Sequence, residues 1–284
     1  MVKMSDTLLN YVLHDKLYDP SISFGHDLKL HHLVVTRFAF IRSDFEKRRN
    51  EVYDQEFGDW AKSRSKLFRD ICLPSMLGQS QKPDAWLLGL ARERRQYFPE
   101  LKALFDGNGW IAPAWQEMVG DVPEQELNAL KRAVLDNVPN EADYVITTRL
   151  DNDDALHRSF LAVVKDYVSL ILSSEQGLTD FWLTMPYGLQ LGSDKLGVCC
   201  YTNNPFTTRV QTRENFLSSA YSTALAGDHT KLFKNDRVFS VNTRIPMWLQ
   251  GVHGDNLYNR MLLTAIAVED HKRLLSGFSV KVDW

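Results

Sequence analysis

Residues 142–156 read ADYVITTRLDNDDAL, an apolar run that stops at three acids, Asp151, Asp153 and Asp154, two positions beyond Arg149. Tyr144, Val145, Ile146, Thr147 and Thr148 are aromatic or β-branched, which predicts a strand covered on both faces. From Leu156 to Leu172 apolar residues return at helical spacing, so a helix over 155–172 is expected to follow. The acids then fall at the carboxyl end of the strand, the edge of an open α/β sheet where loops converge on ligands. Carboxylates at alternate positions can turn toward one point, where protons or a bound cation relieve their repulsion. Oxygen ligands favour Mg²⁺ or Mn²⁺, and Mg²⁺ is commonly held by one or two carboxylates plus substrate phosphates. Arg149 would neutralise the remaining phosphate charge. The plainer alternative is a solvated turn in which Asp153 or Asp154 caps the following helix.

Outward from this strand, the preceding chain alternates between two periods. Strands are expected over His32–Phe40 (HLVVTRFAF), Asp84–Leu90 (DAWLLGL) and Gly109–Trp115, the last after an Asp106-Gly107-Asn108-Gly109 turn. Helices are expected over Trp60–Leu77, broken near Pro74, over Arg94–Leu104, and over Val122–Leu135 from Pro123. The order βαβαβαβ implies parallel pairing with helices on both faces, because parallel neighbours need crossover connections.

Beyond residue 172 the texture shortens. Phe181–Met185, Gly188–Leu191 and Leu196–Tyr201 read as brief strands between Gly, Pro and Ser-Asp turns, which predicts a mixed sheet with loops. Asn203-Asn204-Pro205-Phe206 is a turn, Glu214–Ala226 a short helix, and Gly227-Asp228-His229 a polar bend. No repeat or long linker interrupts the 284 residues, so one domain is expected, with a nucleotide-handling first half and an acceptor-shaping second half. Near the carboxyl end, PMWLQGVHGDN combines a strand with a glycine-flanked polar tip. His253 is the candidate distant metal ligand, since a neutral imidazole can complete a shell begun by Asp153. A lone histidine satisfied in the core or exposed on the surface is the alternative.

A net charge of −3 argues against a nucleic-acid partner gripped through its phosphates. The basic runs Glu46-Lys47-Arg48-Arg49 and Arg92-Glu93-Arg94-Arg95 are interrupted by acids, as solvated helix faces are, and leave peripheral contact with a membrane surface open. The first sixteen residues lack the apolar core of a signal peptide and no window reaches transmembrane length, so a cytoplasmic location is expected, with the inner membrane face as the variant. Cys72, Cys199 and Cys200 are too few for a disulfide framework or a thiolate zinc site, and the vicinal pair is expected to point one thiol to each face of a strand.

TTRLDNDDAL, with HLVVTRF, LPSMLGQS before DAWLLGL, and PMWLQGVHGDN, resembles the bacterial rhamnosyltransferase family, a branch of the GT-A glycosyltransferases, over about residues 30–260. The resemblance implies a GT-A-like, Rossmann-type α/β/α sandwich: a mostly parallel sheet, a smaller mixed sheet in the carboxyl-terminal half, about 30–155 for the nucleotide-sugar, about 156–260 for the acceptor, and peripheral segments 1–29 and 261–284. It implies a Mn²⁺- or Mg²⁺-dependent transfer from a nucleotide diphosphate, deoxythymidine-diphosphate rhamnose first and a uridine-diphosphate sugar second, to a glycan or lipid-linked acceptor of bacterial surface polysaccharide. On this chain's residues, Asp151 would meet the donor ribose or a metal-bound water, Asp153 and His253 would bind the metal, and Asp154 would hold the transferring sugar. Thr36 and Arg37 lie where such enzymes seat the base, and Gln79-Ser80 on the loop after the first helix. The chain departs after its second strand, where Ala91-Arg92-Glu93 replaces the aspartate that relatives place against the base.

Displacement at the anomeric carbon would have the metal and Arg149 stabilise the departing diphosphate while a base deprotonates the acceptor. Asp228 in GDHTKLF is the first candidate base and Glu214 the second, each with a plainer reading as a cap or solvated charge; His229 would contact acceptor or phosphate instead. Trp182, Tyr187, Tyr201 and Trp248 are available to stack on sugar rings, or to fill the core. Two other classes compete. A metal-dependent nucleotidyltransferase or phosphohydrolase would normally bring a phosphate cradle, and no GxxxxGK[ST] occurs. A cation- or carbohydrate-binding protein could use DNDDAL, but an EF-hand loop counted from Asp151 would place Leu156 and Ala162 where glycine and glutamate are required.

Overall fold

A computed structural model describes residues 28–41, 53–120, 122–175, 177–193, 195–219, 222–226, 228–243, 245–253, 261–262, 266–267 and 271–281. The amino-terminal segment, the basic run at 46–49, Gly227 and the tip at 254–256 lie outside them. The strands are β1 Leu30–Ala39, β2 Ala85–Ala91, β3 Ile111–Gln116, β4 Met118–Val119, β5 Val122–Pro123, β6 Tyr144–Arg149, β7 Ala155–Leu156, β8 Asp180–Thr184, β9 Tyr187–Leu191, β10 Leu196–Cys200, β11 Thr208–Thr212, β12 Val238–Ser240, β13 Trp248–Gly251 and β14 Ile266–Ala267. A seven-stranded sheet has the order β12-β8-β11-β6-β1-β2-β3, and a five-stranded sheet the order β14-β10-β9-β13-β7. β6, β1, β2 and β3 pair in parallel, whereas β11 runs antiparallel between β6 and β8. The predicted α/β architecture, mostly parallel sheet plus smaller mixed sheet, is what the chain adopts.

Alternation along β1 and β6 builds two cores. Val34 and Ile146 share one face with Phe160, Val164 and Val168 of the helix Phe160–Ser174, while Leu33, Val35 and Val145 share the other with Ala129, Leu130 and Val134 of the helix Glu126–Asn137. Period-two patterning on both faces is what makes these strands read as continuous apolar runs.

Several boundaries differ from the sequence reading. Helix α1, Tyr53–Leu67, continues through a π-helical Phe68–Cys72 into α2, Leu73–Leu77, rather than breaking at Pro74. Proline removes the donor that would reach back to the Asp70 carbonyl, and Lys281 N supplies that hydrogen bond instead, at 2.7 Å. Pro99 splits the next predicted helix into a 3₁₀ turn, Arg92–Tyr97, and α3, Glu100–Gly107. Val122 and Pro123 sit in a small hairpin, so α4 begins at Glu126. The helix expected from residue 155 begins at Phe160 as α5, because Ala155 and Leu156 are claimed by β13. The helix expected over Glu214–Ala226 is only Arg213–Ser218. Trp182 and Trp248 are core residues, the latter stacked on Phe206 at 4.9 Å with its indole N–H donating to Met185 O. Cys199 is buried and Cys200 exposed, one thiol to each face.

Inside the large sheet His32 Nε2 meets Thr148 Oγ1 at 2.8 Å, and Thr148 Oγ1 meets Thr208 Oγ1 at 2.7 Å. Burial drives the imidazole from 6.5 to about 3, against the pull of Asp84. Because the folded value is depressed, the unfolded chain binds more protons between these limits; the contribution of His32, complete above the unfolded value, is lost as pH falls toward the folded one. Urea unfolding of wild type and His32→Gln at about pH 7 and about pH 5 should show the wild-type advantage shrinking by up to about 1.4 kcal/mol per pH unit. A pH-independent difference would mean that His32 does not stay neutral in the fold.

Candidate active site

The acidic loop leaves β6 at the edge where Arg149 pairs in register with Val35, and it is held from two sides. β7 immediately follows the acids and pairs antiparallel with β13, Leu156 against Trp248 and Ala155 against Leu249. That pairing brings the end of β13 onto the loop: Gly251 N donates to Asp154 Oδ1 at 2.8 Å. A Cβ on Gly251 would lie 2.6 Å from the Asp153 carbonyl oxygen, so only glycine permits the approach. Two residues later His253 Nε2 reaches Asp153 Oδ2 at 2.9 Å, a contact across 100 positions of sequence.

The three acids do not turn toward one point; each has its own partner. Arg149 Nη2 donates to Asp151 Oδ2 at 2.7 Å on the α4 face of the sheet. On the opposite face Arg64 of α1 donates to Asp153 Oδ2 at 2.6 Å. Asn152 between them donates to Phe38 O at 3.1 Å and pins the loop to the end of β1. Burial alone would raise the Asp151 carboxyl, yet Arg149, by charge and hydrogen bond, holds it below its ordinary value. Asp154 goes the other way: burial first, then the Asp153 and Asp151 carboxylates, push it well above the usual carboxylate range. Asp151 and Asp153 thus each face an arginine, and Asp154, crowded by both carboxylates, is the acid that a further cation would most relieve.

A divalent ion fits what is present. Adjacent ligands of an octahedral ion with bonds of about 2.1 Å stand about 3 Å apart, and Asp153 Oδ2 and His253 Nε2 meet that spacing. Among the described residues no group of three or more His, Cys, Asp or Glu could hold a metal, so phosphates and water would have to complete the shell. Arg149 Nε is buried and has no hydrogen-bond partner among the described residues, an unsatisfied donor beside the acids of the kind a phosphate oxygen would satisfy.

Other predicted site residues are placed as follows. Arg37 lies on the α4 face, 3.6 Å from Glu126 Oε1, and its charge reaches Asp151. Thr36 points to the opposite face, fully buried, where its hydroxyl accepts from Trp86 Nε1 at 2.9 Å; the expectation that it touches the base is corrected, because alternation along β1 buries it. Gln79 is likewise a brace and not a donor contact: its amide donates to the carbonyls of Ser75, Leu156 and His157, and its oxygen accepts from Leu161 N. Glu214 is corrected by register. Thr212 pairs with Tyr144 and Thr208 with Thr148, so the start of the Glu214 helix lies at the far end of β6 from the acids. Asp228 is exposed and caps the 3₁₀ turn His229–Lys231, accepting from Thr230 N and Oγ1; these hydrogen bonds hold its carboxyl down to about 2, too weak a base for a hydroxyl proton.

Its neighbour His229 is the residue that faces the acids. Arg149 Nη1 lies 3.4 Å from His229 Nδ1, and since a guanidinium can only donate, the neutral ring carries its proton on Nε2. Burial, with Arg149 beside it, lowers this imidazole to about 4, so it is neutral near pH 7 and presents an N–H. Sequence reading missed Arg64 altogether. The available signal was its position on the apolar stripe Phe57–Ala61–Arg64 of α1, continued by Phe68 in the π-helical turn, where an arginine is out of place unless a buried anion faces it.

Residues 30–264 match the family described as Putative rhamnosyl transferase. No curated protein matches the sequence. Among solved structures, S. aureus TarS superposes with a TM-score of 0.41 at 10% identity, covering 79% of this chain and 37% of that one. A putative nucleotide-diphospho-sugar transferase from Desulfovibrio desulfuricans gives 0.35 at 10% identity over 79% and 81% of the two chains. The 4-diphosphocytidyl-2C-methyl-D-erythritol synthase of Anaerococcus prevotii gives 0.34 at 12% over 88% and 95%. This chain spans little more than a third of TarS.

Proposed function

This chain belongs to the family described as Putative rhamnosyl transferase, a family of glycosyltransferases, and from that premise we propose that it moves rhamnose from a nucleoside diphosphate to a glycan or lipid-linked acceptor. Asp153 and His253 are the residues that would hold Mg²⁺ or Mn²⁺, which supplies, when bound, neutralisation of the charge that develops on the departing diphosphate. The observation that carries this reading is the contact between those two side chains, made across 100 residues by the pairing of β7 with β13. Arg149 adds a buried guanidinium with an unsatisfied Nε, positioned to bind a phosphate oxygen. His229 offers its Nε2–H as a second donor to the same charge, and Asp154, next to the metal ligand, would bind a hydroxyl of the transferring sugar. The product class is a glycan of the bacterial surface, made from a donor on the cytoplasmic side. Among the described residues no helix is long and apolar enough to cross a membrane.

Deoxythymidine-diphosphate rhamnose and uridine-diphosphate sugars, each offered with Mn²⁺ and with chelator, test the proposal through the nucleotide released. Release of the nucleoside diphosphate from the rhamnose donor, dependent on Mn²⁺, is expected. Release of rhamnose 1-phosphate, with the nucleoside monophosphate passed to water or to an acceptor, would assign the chain to phosphohydrolase or nucleotidyl chemistry, and turnover indifferent to chelator would remove the metal.

A further inference from the structure

Arg64 stands where the metal would have to bind. Its Nη1 donates to Asp153 Oδ2 at 2.6 Å, and this is the same oxygen that His253 Nε2 approaches at 2.9 Å. The pair is nearly out of water, with side-chain exposures of 10% for Arg64 and 6% for Asp153. Neighbours hold the guanidinium: Asn152 Oδ1 lies 3.5 Å from the same Nη1, and the Trp60 ring lies 5.6 Å from the guanidinium carbon. The charges of Asp153 and Arg64 cancel. A divalent ion added to Asp153 alone would leave two positive charges in excess at a buried spot, where charge repulsion is only weakly screened. A nucleoside diphosphate arriving with the ion would restore the balance and give the guanidinium a new anion to bind.

We propose that Arg64 is the resident counter-ion of Asp153 and competes with the divalent metal for it, so that metal is admitted only together with an anionic diphosphate. Arg64 is thus a positioning residue that couples metal binding to donor binding, an inference that rests on Asp153 and His253 being the metal ligands. Free Mn²⁺ is read by electron paramagnetic resonance as the protein is titrated, with and without uridine or deoxythymidine diphosphate, for wild type, Arg64→Lys and Arg64→Met. Wild type is expected to bind Mn²⁺ weakly alone and much more tightly with nucleotide. Arg64→Met should bind Mn²⁺ alone roughly ten- to a hundredfold more tightly than wild type, with the benefit of nucleotide correspondingly reduced. Arg64→Lys should behave like wild type, because it keeps the charge. Equal or weaker Mn²⁺ binding by Arg64→Met, with wild type still binding Mn²⁺ alongside nucleotide, overturns the role of Arg64 and leaves the metal site standing. Absence of Mn²⁺ binding in every protein, with or without nucleotide, overturns the metal site itself. Should Arg64→Met fail to fold, a wild-type crystal soaked with Mn²⁺ and nucleotide decides: Arg64 must have left Asp153 Oδ2, and a guanidinium still hydrogen-bonded to it beside a bound ion refutes the competition.

Discussion

Asp153→Asn is expected to lower turnover with the rhamnose donor on the order of a thousandfold while the chain stays folded. Asparagine keeps an oxygen for Arg64 and for the loop but cannot supply an anionic oxygen to a divalent ion. Alanine at the same position separates two effects. In a purely repulsive trio of acids, removing one would cost no stability. The structure reverses that expectation, because Asp153 is the buried partner of the Arg64 guanidinium. Asp153→Ala takes this carboxylate away and should cost about 3–5 kcal/mol, whereas Asp153→Asn should cost about 1–2 kcal/mol. Initial rates together with urea midpoints check both halves. An asparagine variant that turns over within about tenfold of wild type would move the chemistry away from Asp153.

The contrast between the two substitutions shows what could be read from the residues and what could not. The parallel strands were legible because β1, β2 and β6 are largely buried on both faces and so are written in mostly apolar or β-branched runs. The position of the acids followed from the direction of β6, and His253 could be paired with Asp153 through the resemblance. β11 was not legible: Thr208–Thr212 reads TRVQT, yet it is a central strand, because Thr208 closes the hydroxyl chain to Thr148 and Arg209 is neutralised by Asp180. Polar residues hide a buried strand when their partners come from other elements. The same reason hid Arg64, whose anion lies 89 positions away. Local periodicity also could not tell that residues 155 and 156 would leave a helical pattern to pair with β13, a tertiary demand overriding local preference.

Arg149→Met is expected to abolish measurable transfer and to destabilise the fold by about 3 kcal/mol, and the two losses can be taken apart. Arg149 is the group that keeps Asp151 ionised despite burial. Without it the Asp151 carboxyl should rise, so the variant should gain part of its stability back as pH falls toward the raised value, a direction opposite to that expected for wild type at this residue. Changing both partners, Arg149→Met with Asp151→Leu, removes the pair instead of orphaning half of it and should restore most of the lost stability. Activity should not return with it, because the guanidinium's Nε and the second donor it fixes, the Nε2–H of His229, are what the departing diphosphate needs from this side of the loop. Urea unfolding of the single and double variants measures the first effect, and nucleoside diphosphate release measures the second. A double variant that regains both stability and turnover would reduce Arg149 to a structural partner of Asp151, and the positive charge for the leaving group would then have to come from Arg37, on the same face of β1.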